Sequence, residues 1–170
     1  MKHNSKKNKA FFLDRDGVII KDVGYLTSIK QIIFLRQTFK TLRLLIKKGY
    51  FLIIITNQSV VGRKLITKKQ LDKIHAHIKS KLKEKKISIS DIFYCPHHPI
   101  YGKGSYKIKC LCRKPKNLMI EKAIKKWDIS REKSFMIGDK FSDLKSAKKS
   151  KIKFFFRSKK DFYKQVKSKI

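Results

Sequence analysis

The chain has 170 residues, 41% hydrophobic and 34% charged, which suits one compact domain with a real core. No apolar run approaches a membrane span, the basic Met1–Lys9 precedes no apolar segment fit for a signal peptide, and three cysteines make an odd count, so a cytoplasmic protein without a membrane partner or a disulfide framework is expected. The net charge of +33, from 45 Lys+Arg against 12 Asp+Glu, suits a polyanion partner, but the basic residues are spread along the chain, are mostly Lys, and accompany many Ile and Phe; this reads as A+T-rich coding with a solvated Lys surface, and no specific nucleic-acid partner is expected.

In chain order, residues 1–9 read as a basic tail and 10–170 as a single domain. Ala10–Leu13 is a strand that runs into Asp14-Arg15-Asp16-Gly17. Phe39, Leu42, Leu45 and Ile46 form a helical stripe closed by Gly49. Tyr50–Ile55 is a β-branched strand ending in Thr56-Asn57. Thr67-x-x-Gln70 is a capping box that opens a helix with Leu71, Ile74, Ile78 and Leu82 on one face. His75 and His77 on that helix, and His3 in the tail, read as surface residues. Ile92–Tyr94 is a short strand. Ile120, Ala123, Ile124 and Trp127 mark a helix, Ser134–Ile137 a strand running into Gly138-Asp139, Leu144 and Ala147 a helix, and Ile152–Phe156 a last strand. Such alternation means βαβ units: an α/β fold with a Rossmann-like parallel sheet flanked by helices.

Each long strand ends in polar chemistry: Asp14 and Asp16, then Thr56-Asn57, then Gly138-Asp139-Lys140 with Asp143 beyond. In a parallel sheet these ends share one edge, the crevice where open α/β sheets bind ligands. Lys114, just before Pro115 and a helix, is within reach of that edge. A carboxylate nucleophile, further acids, a hydroxyl and a cation are the parts that phosphoryl transfer requires. Paired carboxylates also suit Mg²⁺.

The ordered set resembles the haloacid dehalogenase superfamily of phosphatases. The resemblance implies Asp14 as nucleophile and Asp16 as general acid and base. It implies Thr56 and Lys114 on the transferring phosphoryl group, and Mg²⁺ held by Asp14, the Asp16 carbonyl and Asp139. Asp143 would orient Lys114 or a metal-bound water.

A second signal is Cys95-Pro96-His97-His98-Pro99 followed by Cys110-Leu111-Cys112-Arg113-Lys114-Pro115. Three thiolates and one imidazole would close a tetrahedral Zn²⁺ site with no open position. His97 is the favoured fourth ligand and His98 the alternative. Zinc here would be structural: the loop has little apolar content, and metal binding supplies folding energy directly.

With Gly24-Tyr25, Thr56-Asn57-Gln58-Ser59, this loop and Gly138-Asp139-Lys140, the chain is similar to the D-glycero-D-manno-heptose 1,7-bisphosphate 7-phosphatases. That resemblance implies a cap-less fold, a small phosphorylated sugar substrate, and a role in ADP-heptose and lipopolysaccharide core synthesis; a monomer is expected. Asp22, Val23, Gly24, Tyr25, Thr56, Asn57, Gln58, Ser59, Arg113, Lys114 and Lys140 match its substrate-contacting positions. The sequence departs from the family at Val18, Val60, Lys64 and Asn117-Leu118, and it stops soon after Lys169; Val60 would be strained if its position needs a positive φ. Histidinol-phosphate phosphatase and nucleic-acid 3′-end phosphatase are the alternative readings.

Overall fold

Ala10–Leu13 forms β1, and all four side chains are fully buried. Successive side chains of a strand point to opposite faces. Phe11 and Leu13 therefore enter one apolar cluster, and Ala10 and Phe12 another. A strand with no polar face belongs in the middle of a sheet covered on both sides. The structure, a computed structural model, describes residues 7–170 and places β1 there.

β2 (Phe51–Asn57), β3 (Asp91–Cys95), β4 (Phe135–Gly138) and β5 (Lys153–Phe156) complete a five-stranded, all-parallel sheet in the order β3-β2-β1-β4-β5. α1 (Thr38–Lys47), α3 (Lys68–Glu84) and α6 (Phe162–Lys167) cover the Phe11 face. α4 (Leu118–Trp127) and α5 (Phe141–Lys149) cover the Phe12 face. The register sets Leu13 beside both Ile54 and Ile137, so the carboxyl ends of β1, β2 and β4 open onto one edge.

The capping box forms as expected: Thr67 Oγ1 accepts from the Gln70 amide at 3.2 Å, and Gln70 Oε1 accepts from the Thr67 amide at 2.7 Å. Two helices have no counterpart in the sequence reading. α2 (Ser59–Gly62) is one turn, and α6 has six residues with Phe162 and Val166 as its buried pair; both are too short for a periodic signal. Arg157 pins the chain ahead of α6. Its Nε donates to the Val18 carbonyl at 3.0 Å, its Nη2 to the Arg36 carbonyl at 2.9 Å, and its guanidinium lies 4.5 Å from the Phe162 ring centre.

Of the expected tail, residues 1–6, with His3, lie outside the described residues. Asn8 is tied in through its amide to the Asp128 carbonyl at 2.9 Å and through its own carbonyl to the Ser130 amide at 2.7 Å. No helix of the described residues is long and apolar enough to cross a membrane.

Val60 lies in α2 and is 3% exposed, packed in the core; its φ is not positive, so the strain considered for it is absent. Val18 is likewise core. Lys64 does take φ +59°, and Asn117 stands at the N-cap position of α4 without a side-chain capping bond, its Nδ2 donating instead to Glu121 Oε1 and Ser150 Oγ, both at 3.1 Å.

Candidate active site

The chain leaves β1 at Asp14, whose amide donates to the Ile137 carbonyl of β4 at 3.0 Å. One carboxylate oxygen, Oδ1, accepts from the Arg15 amide at 2.8 Å and stands 2.9 Å from Lys114 Nζ. Lys114 is 3% exposed; it also ion-pairs with the fully buried Asp143 and donates to the Ile55 carbonyl at 2.8 Å. Burial alone would discharge such an amine, but Asp14 and Asp143 hold its pKa above the ordinary lysine value. Asn57 clamps the Lys114 backbone from both sides: its Oδ1 accepts from the Lys114 amide at 3.0 Å and its Nδ2 donates to the Lys114 carbonyl at 3.1 Å.

Asp139 follows β4. A Cβ on Gly17 would stand 2.1 Å from Asp139 Oδ2, and Gly17 has φ +79°, so the close approach of the two loops requires glycine on both counts. Gly138 has the same relation to Asp143, at 2.3 Å from its Cβ. Carboxylate oxygens of Asp14, Asp139 and Asp143 lie within 4.8 Å of one another. Partial desolvation in the crevice, with the charges of Asp14 and Asp143, pushes the Asp139 carboxyl up to about 6. Three carboxylates crowded around one lysine lack positive charge, and hard oxygen donors of this kind fit Mg²⁺.

Asp16 points into the same crevice. Its Oδ1 accepts from Arg15 Nε at 3.0 Å, and its Oδ2 from Arg15 Nη2 and Gln58 Nε2 at 2.8 and 2.9 Å. The Gln58 amide also reaches Thr56 Oγ1 at 2.9 Å.

The crevice is a cleft of about 340 Å³. Besides Asp14 and Asp16 it is bordered by Thr56, Asn57, Ser59 and Lys114, and by Asp22, Gly24, Tyr25, Arg113 and Lys140. Asp22 is fixed by Lys140 Nζ at 2.8 Å and the Gly24 amide at 2.9 Å. Although partial burial works against it, the Lys140 hydrogen bond helps bring the Asp22 pKa below the ordinary carboxylate value. Two of the expected substrate-contacting residues do not border the cleft. Val23, beside the turn at Gly24 (φ +77°), is turned to solvent at 36% exposure. Gln58 is buried beneath the cleft and holds Asp16 and Thr56.

Sequence reading missed Arg63, His98 and Ser142, which also border the cleft. The Arg63 guanidinium lies 4.4 Å from the Tyr101 ring centre and 5.1 Å from that of Tyr25. His75 was misplaced: it is buried, with Nε2 3.2 Å from Arg15 Nη1. Its spacing from Leu71 and Ile78 was the available signal, since positions four before and three after share its helix face.

Cys95, His97, Cys110 and Cys112 converge on one point. Their sulfur–sulfur distances are 2.9, 3.3 and 3.4 Å, and His97 Nδ1 lies 3.4 Å from Cys112 Sγ and 3.7 Å from Cys95 Sγ. Donors around tetrahedral Zn²⁺, with bonds of about 2.0–2.3 Å, stand roughly 3.3–3.8 Å apart. The set fits zinc. His98 does not belong to it: its Nδ1 accepts from the Ile100 and Tyr101 amides at 3.2 and 3.1 Å. Arg113 Nη1 donates to the His97 carbonyl at 3.1 Å, so the loop also aims Arg113. A Cβ on Gly62 would stand 2.3 Å from the Pro96 carbonyl oxygen, which shows how closely α2 packs on this loop.

A nucleophile-capable aspartate at the end of the central strand, flanked by Asp16, Asp139 and a buried lysine, defines a phosphatase of the haloacid dehalogenase type. In agreement, a haloacid-dehalogenase-like phosphatase from Mesorhizobium loti superposes with TM-score 0.82 at 25% identity, over 86% of this chain and 70% of that one. The sequence matches the family described as polynucleotide kinase 3 phosphatase over residues 9–168. The D-glycero-β-D-manno-heptose-1,7-bisphosphate 7-phosphatase of Haemophilus influenzae is 42% identical over 86% of this chain and 79% of its own length. The α-anomer enzyme of Photorhabdus laumondii is 40% identical, over 89% and 82%. The chain belongs to this family of heptose bisphosphate phosphatases. A D,D-heptose 1,7-bisphosphate phosphatase of B. bronchiseptica, complexed with magnesium and phosphate, has TM-score 0.79 at 25% identity, over 95% of this chain and 87% of that one.

Proposed function

We propose that this chain hydrolyses the 7-phosphate of D-glycero-D-manno-heptose 1,7-bisphosphate. The observation that carries the reading is Lys114 Nζ at 2.9 Å from Asp14 Oδ1, in a cleft that Arg113 also borders. Lys114 holds one phosphoryl group against the nucleophile while Arg113 offers a planar fork to a second anionic or hydroxyl-rich part of the substrate.

The oxygen of Asp14 that is not held by Lys114 attacks phosphorus. The phosphorus–oxygen bond to C7 of the sugar breaks, and Asp16 gives its proton to the departing alkoxide. Asp16 then takes a proton from water as that water attacks the aspartyl-phosphate, and phosphate leaves with Asp14 restored. Thr56 and Lys114 hold the equatorial phosphoryl oxygens throughout. Asp14, the Asp16 carbonyl and Asp139 would hold Mg²⁺, which neutralises charge on the phosphoryl group. Cys95, His97, Cys110 and Cys112 would hold Zn²⁺ as a structural tie. The reading places the protein in the cytoplasm as a monomer, in the supply of heptose for lipopolysaccharide.

Phosphate release from a panel at fixed ionic strength tests the reading. Both anomers of heptose 1,7-bisphosphate, histidinol phosphate and a 3′-phosphorylated oligonucleotide are compared. The bisphosphate should give the highest kcat/KM. Arg113→Ala should lower it roughly 10- to 150-fold, the equivalent of a charge-assisted contact of about 1.5–3 kcal/mol, and narrow the preference over a monophosphate. A higher kcat/KM on histidinol phosphate or on the oligonucleotide would overturn the substrate assignment.

A further inference from the structure

His75 is the one histidine of α3 that faces inward, 7% exposed and set edge-on to Tyr94 with ring centres 5.5 Å apart. Its partner, Arg15, is 1% exposed, although Arg is among the residues least often fully buried. A guanidinium only donates, so His75 Nε2 accepts from Arg15 Nη1 and the ring proton sits on Nδ1. Burial and the charge of Arg15 push the ring's pKa down to about 3, so the imidazole stays neutral, as this hydrogen bond requires.

Arg15 in turn grips Asp16 with Nε and Nη2. A carboxylate has about four acceptor positions. Arg15 fills one on Oδ1 and one on Oδ2, and Gln58 fills the second on Oδ2. One position remains, on Oδ1. We propose that His75 is a positioning residue: by anchoring Arg15 from behind, it fixes the Asp16 carboxylate so that the free position of Oδ1 is the one that exchanges a proton with the leaving oxygen.

This rests on Asp16 being the general acid, and the test separates the two claims. A misplaced general acid slows departure of an alkoxide, which needs a proton, far more than departure of a nitrophenolate, which does not. The parameter to compare is kcat/KM, which covers the steps through leaving-group departure. The substrates are heptose 1,7-bisphosphate and p-nitrophenyl phosphate, with melting curves recorded for each variant. Asp16→Asn sets the reference: a large loss on the sugar phosphate and a small one on the aryl phosphate.

His75→Phe keeps a ring against Tyr94 and removes the acceptor. It should lose at least about tenfold on the sugar phosphate, a fraction of the 10²–10⁴ a placed general acid supplies, and less than about threefold on the aryl phosphate. His75→Gln, whose Oε1 falls near the site of Nε2, should restore the sugar-phosphate rate. His75→Asn is too short to reach Arg15, and serves as the second deletion if the Phe variant melts early. Equal losses on both substrates, or no loss in a folded variant, would overturn the positioning role. Absence of the leaving-group signature in Asp16→Asn would instead remove the general-acid assignment, and this proposal with it.

Discussion

Lys114→Met should be more damaging to folding than the loss of one hydrogen-bonding side chain. The ammonium lies among three carboxylates, ion-paired to Asp14 and Asp143 with Asp139 beside them. Burial and Asp14 already raise the Asp143 pKa, and Lys114 opposes that rise. Removing one partner of a buried ion pair costs about 3–5 kcal/mol, because the remaining charge keeps its desolvation penalty without compensation. Methionine matches the stem of lysine, so the charge is the main quantity that changes. Urea unfolding at pH 7 in Mg²⁺-free buffer measures the cost. The double variant Lys114→Met/Asp143→Asn removes one negative charge with the positive one and should recover at least about half of it, a coupling measured directly by the cycle. A cost below about 1 kcal/mol, or a double variant no more stable than Lys114→Met alone, would refute this account of the cluster.

Asp14→Asn should fold normally and show no measurable turnover, since an amide is a poor nucleophile; activity within tenfold of wild type would exclude Asp14 as nucleophile. Cys110→Ser should lose the one zinc per chain that elemental analysis is expected to find, and the remaining thiols should then react rapidly with a thiol reagent. Gly17→Ala should raise the Mg²⁺ concentration needed for half-maximal activity about 10- to 100-fold, because the new methyl displaces Asp139; an unchanged titration would contradict the Asp139 ligand role. His75 is neutral when folded and protonates near its ordinary value when unfolded, so its contribution is intact above about pH 6.5 and is lost as pH falls toward 3. Arg15 and Tyr94 face the ring, and Asp72 and Lys79 flank it on α3. The pH 7 to pH 5 fall in unfolding free energy should be smaller by about 2 kcal/mol in His75→Gln than in wild type.

The sheet was legible because β1 and β2 are apolar runs that stop abruptly at polar residues, and a parallel sheet brings those stops to one edge. The same logic located Asp14, Asp16, Thr56 and Asp139. The clustering of all three cysteines beside a histidine pair was legible as a candidate metal site, although the spacing itself is tighter than in most zinc fingers, and in the fold His97 joins the cysteines while His98 accepts from two loop amides instead. Less legible were residues whose roles depend on what lies across the cleft. Gln58 read as a substrate contact, yet it holds Asp16 and Thr56 from below. Arg63 gave no signal because its aromatic neighbours, Tyr25 and Tyr101, are 38 positions away on either side. His75 reads as a surface residue by its type, although its helical spacing from Leu71 and Ile78 points inward.

Only seven of the 45 basic residues are arginine, and five of them occupy places that a lysine would not fill. Arg15 grips Asp16 with two nitrogens, Arg63 sits between two tyrosine rings, and Arg113 reaches the His97 carbonyl. Arg131 forks onto both oxygens of Glu121, and Arg157 ties three backbone carbonyls. A planar fork and a point charge are not interchangeable at such sites. The shape-reading cations and the bulk cations are therefore different amino acids in this chain. Acetylating the exposed lysines outside the cleft, Lys140 excepted because it borders the cleft and holds Asp22, would change solubility and attraction for polyanions while leaving every guanidinium intact, so the colloidal behaviour of this protein can be altered apart from its cleft.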